Sequence, residues 1–408
     1  MLYGLMMLFQ QHYKLLNQII SKSTAQYNDS LKFIRKNIEE LTQLGQVVRL
    51  IRPSLDIQDL IISYGERIST FILSQFLSSL NTQAFYISSD ELIITDDNFN
   101  RALPLLEETE TLAKKNLNPL LEKSKNAIIC VTGFYGSTLD KKITTFGRGG
   151  SDLTAAVLAY ALRNNYICKV IYWKDVQGFL NADPNIAKKT ALLRQISYIE
   201  AKELTFFGSK ILHPLCLDVN EKGNISSEIR SFNEPNSEEF TTITKEIIQD
   251  NKIVKAITSI YKLSMVTIES DTMVPLTGTA SKLFSLLGDS NINTVFISQS
   301  SSENNITFGI DYEDSKKVSF LLRNSELFGK KWFRIKIDND ISLVAVIGAG
   351  LLYTPGISGK VFTSLGNNEI NIKAIAQGSS EMSFTAIIDR KNCNKAINVL
   401  YETFINEE

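Results

Sequence analysis

The segments GTASKLFSLLGDSNINTVFISQSSSE (278–303) and GISGKVFTSLGNNEINIKAIAQGSSE (356–381) align without a gap and agree at about half their positions. No other feature limits the folding of this chain so strongly. A match this dense marks duplication, and a small duplicated unit buries its apolar face against its copy. Each copy follows an apolar run, KLSMVTIES or ISLVAVIGAG, and a short loop. Each reads strand, loop, helix, strand, and leads into a further β-rich stretch. Two small α+β units are expected, over 251–337 and 338–408.

The region before the repeat, 1–250, has a different rhythm. Residues 1–82 read as helix almost throughout, with Leu31, Ile34, Ile38 and Leu41 at spacings of three and four. From FYISSDELII (85–94) onwards strands and helices alternate. NAIICVTGF (126–134) reads as a buried strand, the segment from Ser151 as a helix, CKVIYWKDVQG as a strand and SYIEAKELTFFG as a helix. Such alternation predicts an α/β domain with a parallel sheet between helical layers, whose ligands gather at the carboxyl ends of the strands.

Composition excludes several classes. The formal net charge of −1 offers no basic surface to nucleic acid. The apolar start, MLYGLMMLF, is short and has neither a basic lead nor a small-residue cleavage site. No run approaches the roughly twenty apolar residues of a membrane helix, so a cytoplasmic protein is expected. The four cysteines, Cys130, Cys168, Cys216 and Cys393, have neither metal-ligand spacing nor a disulfide rhythm. Reduced thiols and no structural metal are expected.

The chemistry concentrates in TTFGRGGSDLTAAVLAY (144–160). Gly147, Gly149 and Gly150 permit backbone conformations and close approaches that a β-carbon would block. Ser151 can cap the helix that follows, and the first-turn amides make its mouth partly positive. Arg148 adds a planar fork for a carboxylate or phosphate. Asp152 would be out of place beside a simple anion. A carboxylate next to an arginine suits a zwitterion, with one pole for each. A plain glycine-rich turn before a capped helix remains the alternative.

TGFYGST, ITTFGRGGSDLTAAVLAYAL, DVQGFLNADP and FFGSKILHP, in this order and spacing, resemble the aspartate kinases of the amino acid kinase family. With ISYGERIST upstream and the tandem repeat downstream, the resemblance covers nearly the whole chain from about residue 60. The repeats resemble ACT-type amino-acid-binding units, and ISQSSSE and AIAQGSSE look most like the threonine-inhibited branch. The resemblance implies a three-layer α/β/α kinase domain followed by two ferredoxin-like ACT domains. It implies phosphoryl transfer from ATP, with Mg2+, to the side-chain carboxylate of L-aspartate, the first step towards lysine, threonine and methionine. Glu66, in SYGER, would take the substrate ammonium. Arg148, Gly149, Ser151 and Asp152 would complete the amino acid site. Lys174, Asp175, Gly178 and Asp183 would border the nucleotide, and Lys210 would reach the phosphates. Without the resemblance, Glu66, Asp175 and Lys210 could be ordinary surface charges, Asp183-Pro184 a turn and His213 structural.

In the repeats, Gln299 and Gln377 end equivalent strands, and Asn293 and Asn371 stand at matching positions near the strand starts. A buried glutamine can read both poles of a small amino acid, so these four are the expected effector contacts, with threonine the expected effector. Pairing of ACT sheets implies a homodimer or larger homo-oligomer.

The sequence also departs from the family pattern. Residues 1–60 contain no strand with a lysine and paired glycines of the K-F-G-G type, so the chain is expected to begin inside the helical part of the kinase domain. Lys174 stands where the family usually has threonine, Leu180 where it often has tyrosine and Asn185 where it has arginine. The amino acid half of the site is kept and the nucleotide half is altered. An amino-acid-sensing protein derived from an aspartate kinase but no longer phosphorylating is the second reading.

Overall fold

The computed structural model describes every residue except 1, 51, 124–125, 210, 248–252, 271–277, 300–304, 378–381 and 407–408. Position 210 and the Ser-Ser-Glu signatures after Gln299 and Gln377 therefore lie outside the described residues. The chain divides into two compact units, Met1–Tyr172 with Leu212–Glu228, and Trp173–Ile211 with Ile229–Glu408. No described helix is long and apolar enough to cross a membrane.

The first unit opens with three helices, α1 (Leu2–Ile19), α2 (Ala25–Leu50) and α3 (Leu55–Ser79). The spacing of three and four puts Ile34 into their shared core with Leu16, Ile20, Ile68 and Ile72, packs Leu31 and Ile38 against it, and buries Leu41 as well. Asn81, with φ 60°, terminates α3 in a left-handed turn. Strand β1 (Ala84–Ile87) then pairs in parallel with β2 (Ile128–Val131), and α4 (Leu106–Lys123) makes the crossover. A short hairpin, β3 (Tyr135–Ser137) and β4 (Ile143–Thr145), leads through the glycine turn into α5 (Gly150–Leu162). Leu153, Ala156 and Val157 are fully buried along α5. Burial of each of the two branched side chains stabilises by about 2 kcal/mol.

The chain passes between the units three times, within β5 (Lys169–Lys174), between Ile211 and Leu212, and within β7 (Ser226–Ser231). The first and last crossings fall inside strands. These strands belong to a four-stranded sheet of order β5-β7-β8-β6, with β6 (Gln195–Ser197) parallel to β8 (Thr241–Thr244). Helix α6 (Tyr198–Phe206) starts on a capping box: Ser197 accepts the Glu200 amide and Glu200 accepts the Ser197 amide. Helix α7 (Pro214–Gly223) starts with proline in its first turn and ends on Asn224 in the left-handed region.

The repeats build one six-stranded antiparallel sheet of order β10-β11-β9-β12-β14-β13. The first copy supplies β9 (Ala256–Ser270), α8 (Thr279–Asp289), β10 (Thr294–Gln299), β11 (Asn305–Asp311) and α9 (Ser315–Arg323). The second supplies β12 (Phe333–Ile347), α10 (Ile357–Asn367), β13 (Ile372–Ala376), β14 (Ser383–Asp389) and α11 (Cys393–Tyr401). Strands β9 and β12, of 15 residues each, are shared between the copies. Ile257 of β9 packs in the core of the second copy, while Val266 and Ile268 pack in the first. Ile335 and Ile337 of β12 pack on the first core, and Val344 and Val346 lie in the second. A boundary at residue 337 runs through β12. Edge strands β10 and β13 also contact each other.

Candidate active site

The turn before α5 is built from left-handed glycines. Gly147 and Gly149 have φ of 77° and 78°. Gly149 is the N-cap, so Ser151 is not the cap expected from the sequence. A left-handed cap residue has to be glycine here, and the helix begins one residue before Ser151. The Ser151 hydroxyl instead faces Gly133, where a β-carbon would come within 2.7 Å of it. Gly150 is boxed in by Phe146 and Phe134, at 2.9 and 3.0 Å from an added β-carbon. Arg148, Gly149 and Ser151 are exposed at this mouth, and Asp152 is half-buried.

Sequence reasoning missed Phe134. It holds φ at 80°, a conformation bulky side chains rarely adopt, so the surroundings must enforce it. Its amide donates to Thr154 Oγ1 and its carbonyl accepts the Phe146 amide, both at 3.0 Å. These two hydrogen bonds strap residue 134 across the entrance of α5 and hold it in the strained conformation. The only signal was the glycine on either side of Phe134-Tyr135.

His213 caps α7, accepting the Leu215 amide at Nδ1 over 3.2 Å. Its β-carbon would lie 3.2 Å from a side chain at Gly149. Burial pushes its imidazole below the usual value, against the attraction of Asp152. His213 is therefore a wall of the turn and a structural cap. Glu66 lies half-buried on α3, which packs against β4. Burial raises its carboxyl above the ordinary glutamate value.

The residues assigned to the nucleotide fall in the second unit. Gly178 and Asp183 line one cavity of about 460 Å3. Leu204, Gly208, Ser209 and Ile211, on either side of position 210, line the same cavity. Lys174 and Asp175, at the end of β5, stand outside this lining. Gly178 has no alternative residue, because an added β-carbon would fall 2.0 Å from Thr241 Oγ1. Asp183 accepts the Asn185 amide at 2.8 Å, the turn role that Asp-Pro suggests.

Gln299 and Gln377 are exposed, not buried. Gln377 lines a cavity of about 360 Å3 with Thr354, Gly356, Ile357, Ser358 and Phe384. Asn293 and Asn371 are exposed at the opposite ends of their strands. Six residues of strand separate Asn293 from Gln299, about 20 Å, so one strand cannot offer both to one small ligand. Among the described residues, no three His, Cys, Asp or Glu side chains converge to hold a metal ion.

The sequence profile of the Amino acid kinase family matches residues 14–231. The chain belongs to the amino acid kinase family. Its C-terminal part matches the ACT domain profile twice, over 266–324 and 344–404. This amino acid kinase is 31% identical over 403 residues to the bifunctional aspartokinase/homoserine dehydrogenase of Buchnera aphidicola, covering 97% of this chain and 48% of that protein. It spans less than half the length of the bifunctional relatives. The aspartokinase of Bacillus sp. (strain MGA3) is 29% identical, with 90% of this chain and 87% of that protein covered. The crystal structure of E. coli aspartokinase III in complex with aspartate and ADP (R-state) superposes with a TM-score of 0.77 at 25% identity, over 95% of this chain and 83% of that one.

Proposed function

We propose that this amino acid kinase is an aspartate kinase, transferring the γ-phosphoryl group of ATP to the side-chain carboxylate of L-aspartate to give 4-phospho-L-aspartate. The observation that carries the reading is the mouth of α5. A left-handed Gly149 caps the helix between Arg148 on one side and Ser151 and Asp152 on the other. That arrangement offers cation, amides and carboxylate to a zwitterion. The attacking carboxylate is already ionised near neutral pH, so no base is required. Alignment and cancellation of phosphoryl charge remain as the work of the site. Glu66 receives the ammonium and Arg148 a carboxylate. The cavity lined by Gly178 and Asp183 is the candidate nucleotide pocket. Lys174 and Asp175 precede its first lining residues in the chain, and the phosphate role of Lys210 rests on the family resemblance alone. Magnesium comes with the nucleotide and neutralises its phosphates.

Regulation is assigned to the ACT region, with threonine as effector and the chain paired through ACT strands, in the cytoplasm. Pairing would let Asn293 or Asn371 approach a ligand held by a glutamine on another strand. The described lining of the Gln377 cavity carries no charged side chain, which suits an effector with a small uncharged side chain better than lysine. Lysine and methionine synthesis would share the product.

Aspartate-dependent ADP release, with and without threonine or lysine, tests the reading. Turnover that saturates with aspartate and is inhibited by threonine is expected. Gln377→Ala should raise the threonine concentration for half-inhibition about tenfold, the worth of one lost hydrogen bond, and leave the uninhibited rate intact. Threonine binding without turnover would select the sensing protein instead. Neither binding nor turnover would end the proposal.

A further inference from the structure

Asp59, on α3, is fully buried. Its Oδ2 accepts the backbone amides of Asn100 and Thr145, each at 2.8 Å, and its Oδ1 accepts the Thr145 hydroxyl at 2.8 Å. A buried carboxylate persists only where several donors replace its water, and here three do. Thr145 is the last residue of β4; Phe146, Gly147 and Arg148 follow it directly. Asn100 lies across from the same turn, and its carbonyl oxygen would be 3.1 Å from a β-carbon on Gly147. The Thr145 carbonyl is tied as well, accepting the Ala102 amide at 2.9 Å. One carboxylate thus grips the strand that enters the glycine turn and the loop that backs it. Asp59 and Glu66 are seven residues apart on α3, two helical turns along one face, so a single rigid element carries both.

We propose that Asp59 is a positioning residue of the amino acid site, holding Thr145 and Asn100 so that the Phe146–Arg148 turn presents Arg148 and the mouth of α5 in one geometry to a substrate carboxylate. A turn containing two left-handed glycines has little stiffness of its own, and small displacements of a positioning group are costly in binding and rate. The inference rests on the amino acid site proposed above. Asparagine can fill the role in part. Its amide nitrogen can donate to the Thr145 hydroxyl oxygen while its oxygen keeps both backbone amides.

The test compares Asp59→Ala, Asp59→Asn and Thr145→Val for KM of aspartate, KM of ATP, kcat and amide hydrogen exchange over residues 145–150. Asp59→Ala should raise the aspartate KM at least about tenfold, leave the ATP KM within about twofold, and speed exchange over 145–150. Asp59→Asn should recover most of the aspartate affinity, and Thr145→Val should lie between it and the alanine variant. A variant that melts earlier but keeps its aspartate KM and its local exchange, measured where it is folded, would make Asp59 a purely structural residue. If Asp59→Ala does not fold, unchanged aspartate KM and exchange in the other two variants overturn the proposal equally. Should the unaltered protein show no turnover with aspartate, the functional reading fails, while the exchange comparison still decides whether Asp59 holds the turn.

Discussion

Individual residues carry the sharpest expectations. Glu66 must be ionised to receive an ammonium group, yet burial raises its carboxyl above the ordinary value of 4.5. Its protonation therefore sets in at a higher pH than for a surface glutamate. The KM for aspartate should rise as pH falls through the raised value, and a Glu66→Gln variant, weaker throughout, should lack that rise. For the unliganded fold the sign is opposite. A raised carboxyl favours folding below the unfolded value, and that contribution is lost as pH rises through the folded one. At Gly149, an alanine meets two penalties, a φ of 78° and His213 at 3.2 Å. Gly149→Ala should lower stability by about 1–3 kcal/mol in denaturant titration, and should raise the aspartate KM more than it changes the ATP KM.

Among the elements, α4 and α5 are joined by a cluster of charges. Glu110 accepts from Lys114 at 2.6 Å and from Arg163 and Asn164 at 2.8 Å. The Lys114 and Arg163 bonds pull its carboxyl down to about 2. A depressed carboxyl stabilises the fold at pH values above its unfolded value, and that contribution disappears as pH falls through the folded one. Unfolding free energy measured from pH 5 to pH 2 should therefore fall less steeply in Glu110→Gln than in the unaltered chain. Capping explains where α6 and α7 begin, and shared apolar surface explains why α1 to α3 pack.

At the scale of the whole molecule, the second unit holds a buried ion pair that links distant segments of the chain. Lys255 and Glu200, 3.3 Å apart, have side chains only 3% and 1% exposed. Glu200 also accepts the amide of Ala349 at 3.1 Å, so one carboxylate joins the start of α6, the approach to β9 and the turn after β12. A buried pair adds little net stability, but breaking it strands a charge. Lys255→Met should cost about 3–5 kcal/mol, and the double change Lys255→Met with Glu200→Leu should cost less than the sum of the two singles, as a double-mutant cycle would show.

The sequence alone determined what depends on near neighbours. The glycines before α5, the helix that follows, the charged residues at its mouth and the duplicated ACT units could all be read directly, because conformational freedom, capping and periodicity act over a few residues. Tertiary structure decided the rest. Asp59 reads as an ordinary helical acid until Thr145, 86 residues away, and Asn100 close on it. Phe134 shows its strain only when α5 packs beneath it. Gln299 and Gln377 are expected as buried strand-end residues that read an effector, yet they stand exposed on the edge strands or just beyond them. Two separate repeats became one sheet because β9 and β12 are long enough to pair along nearly their whole length, each burying one half in either core. A partner reached through the fold leaves no mark in local sequence, since its hydrogen bonds and buried surface exist only once distant segments meet.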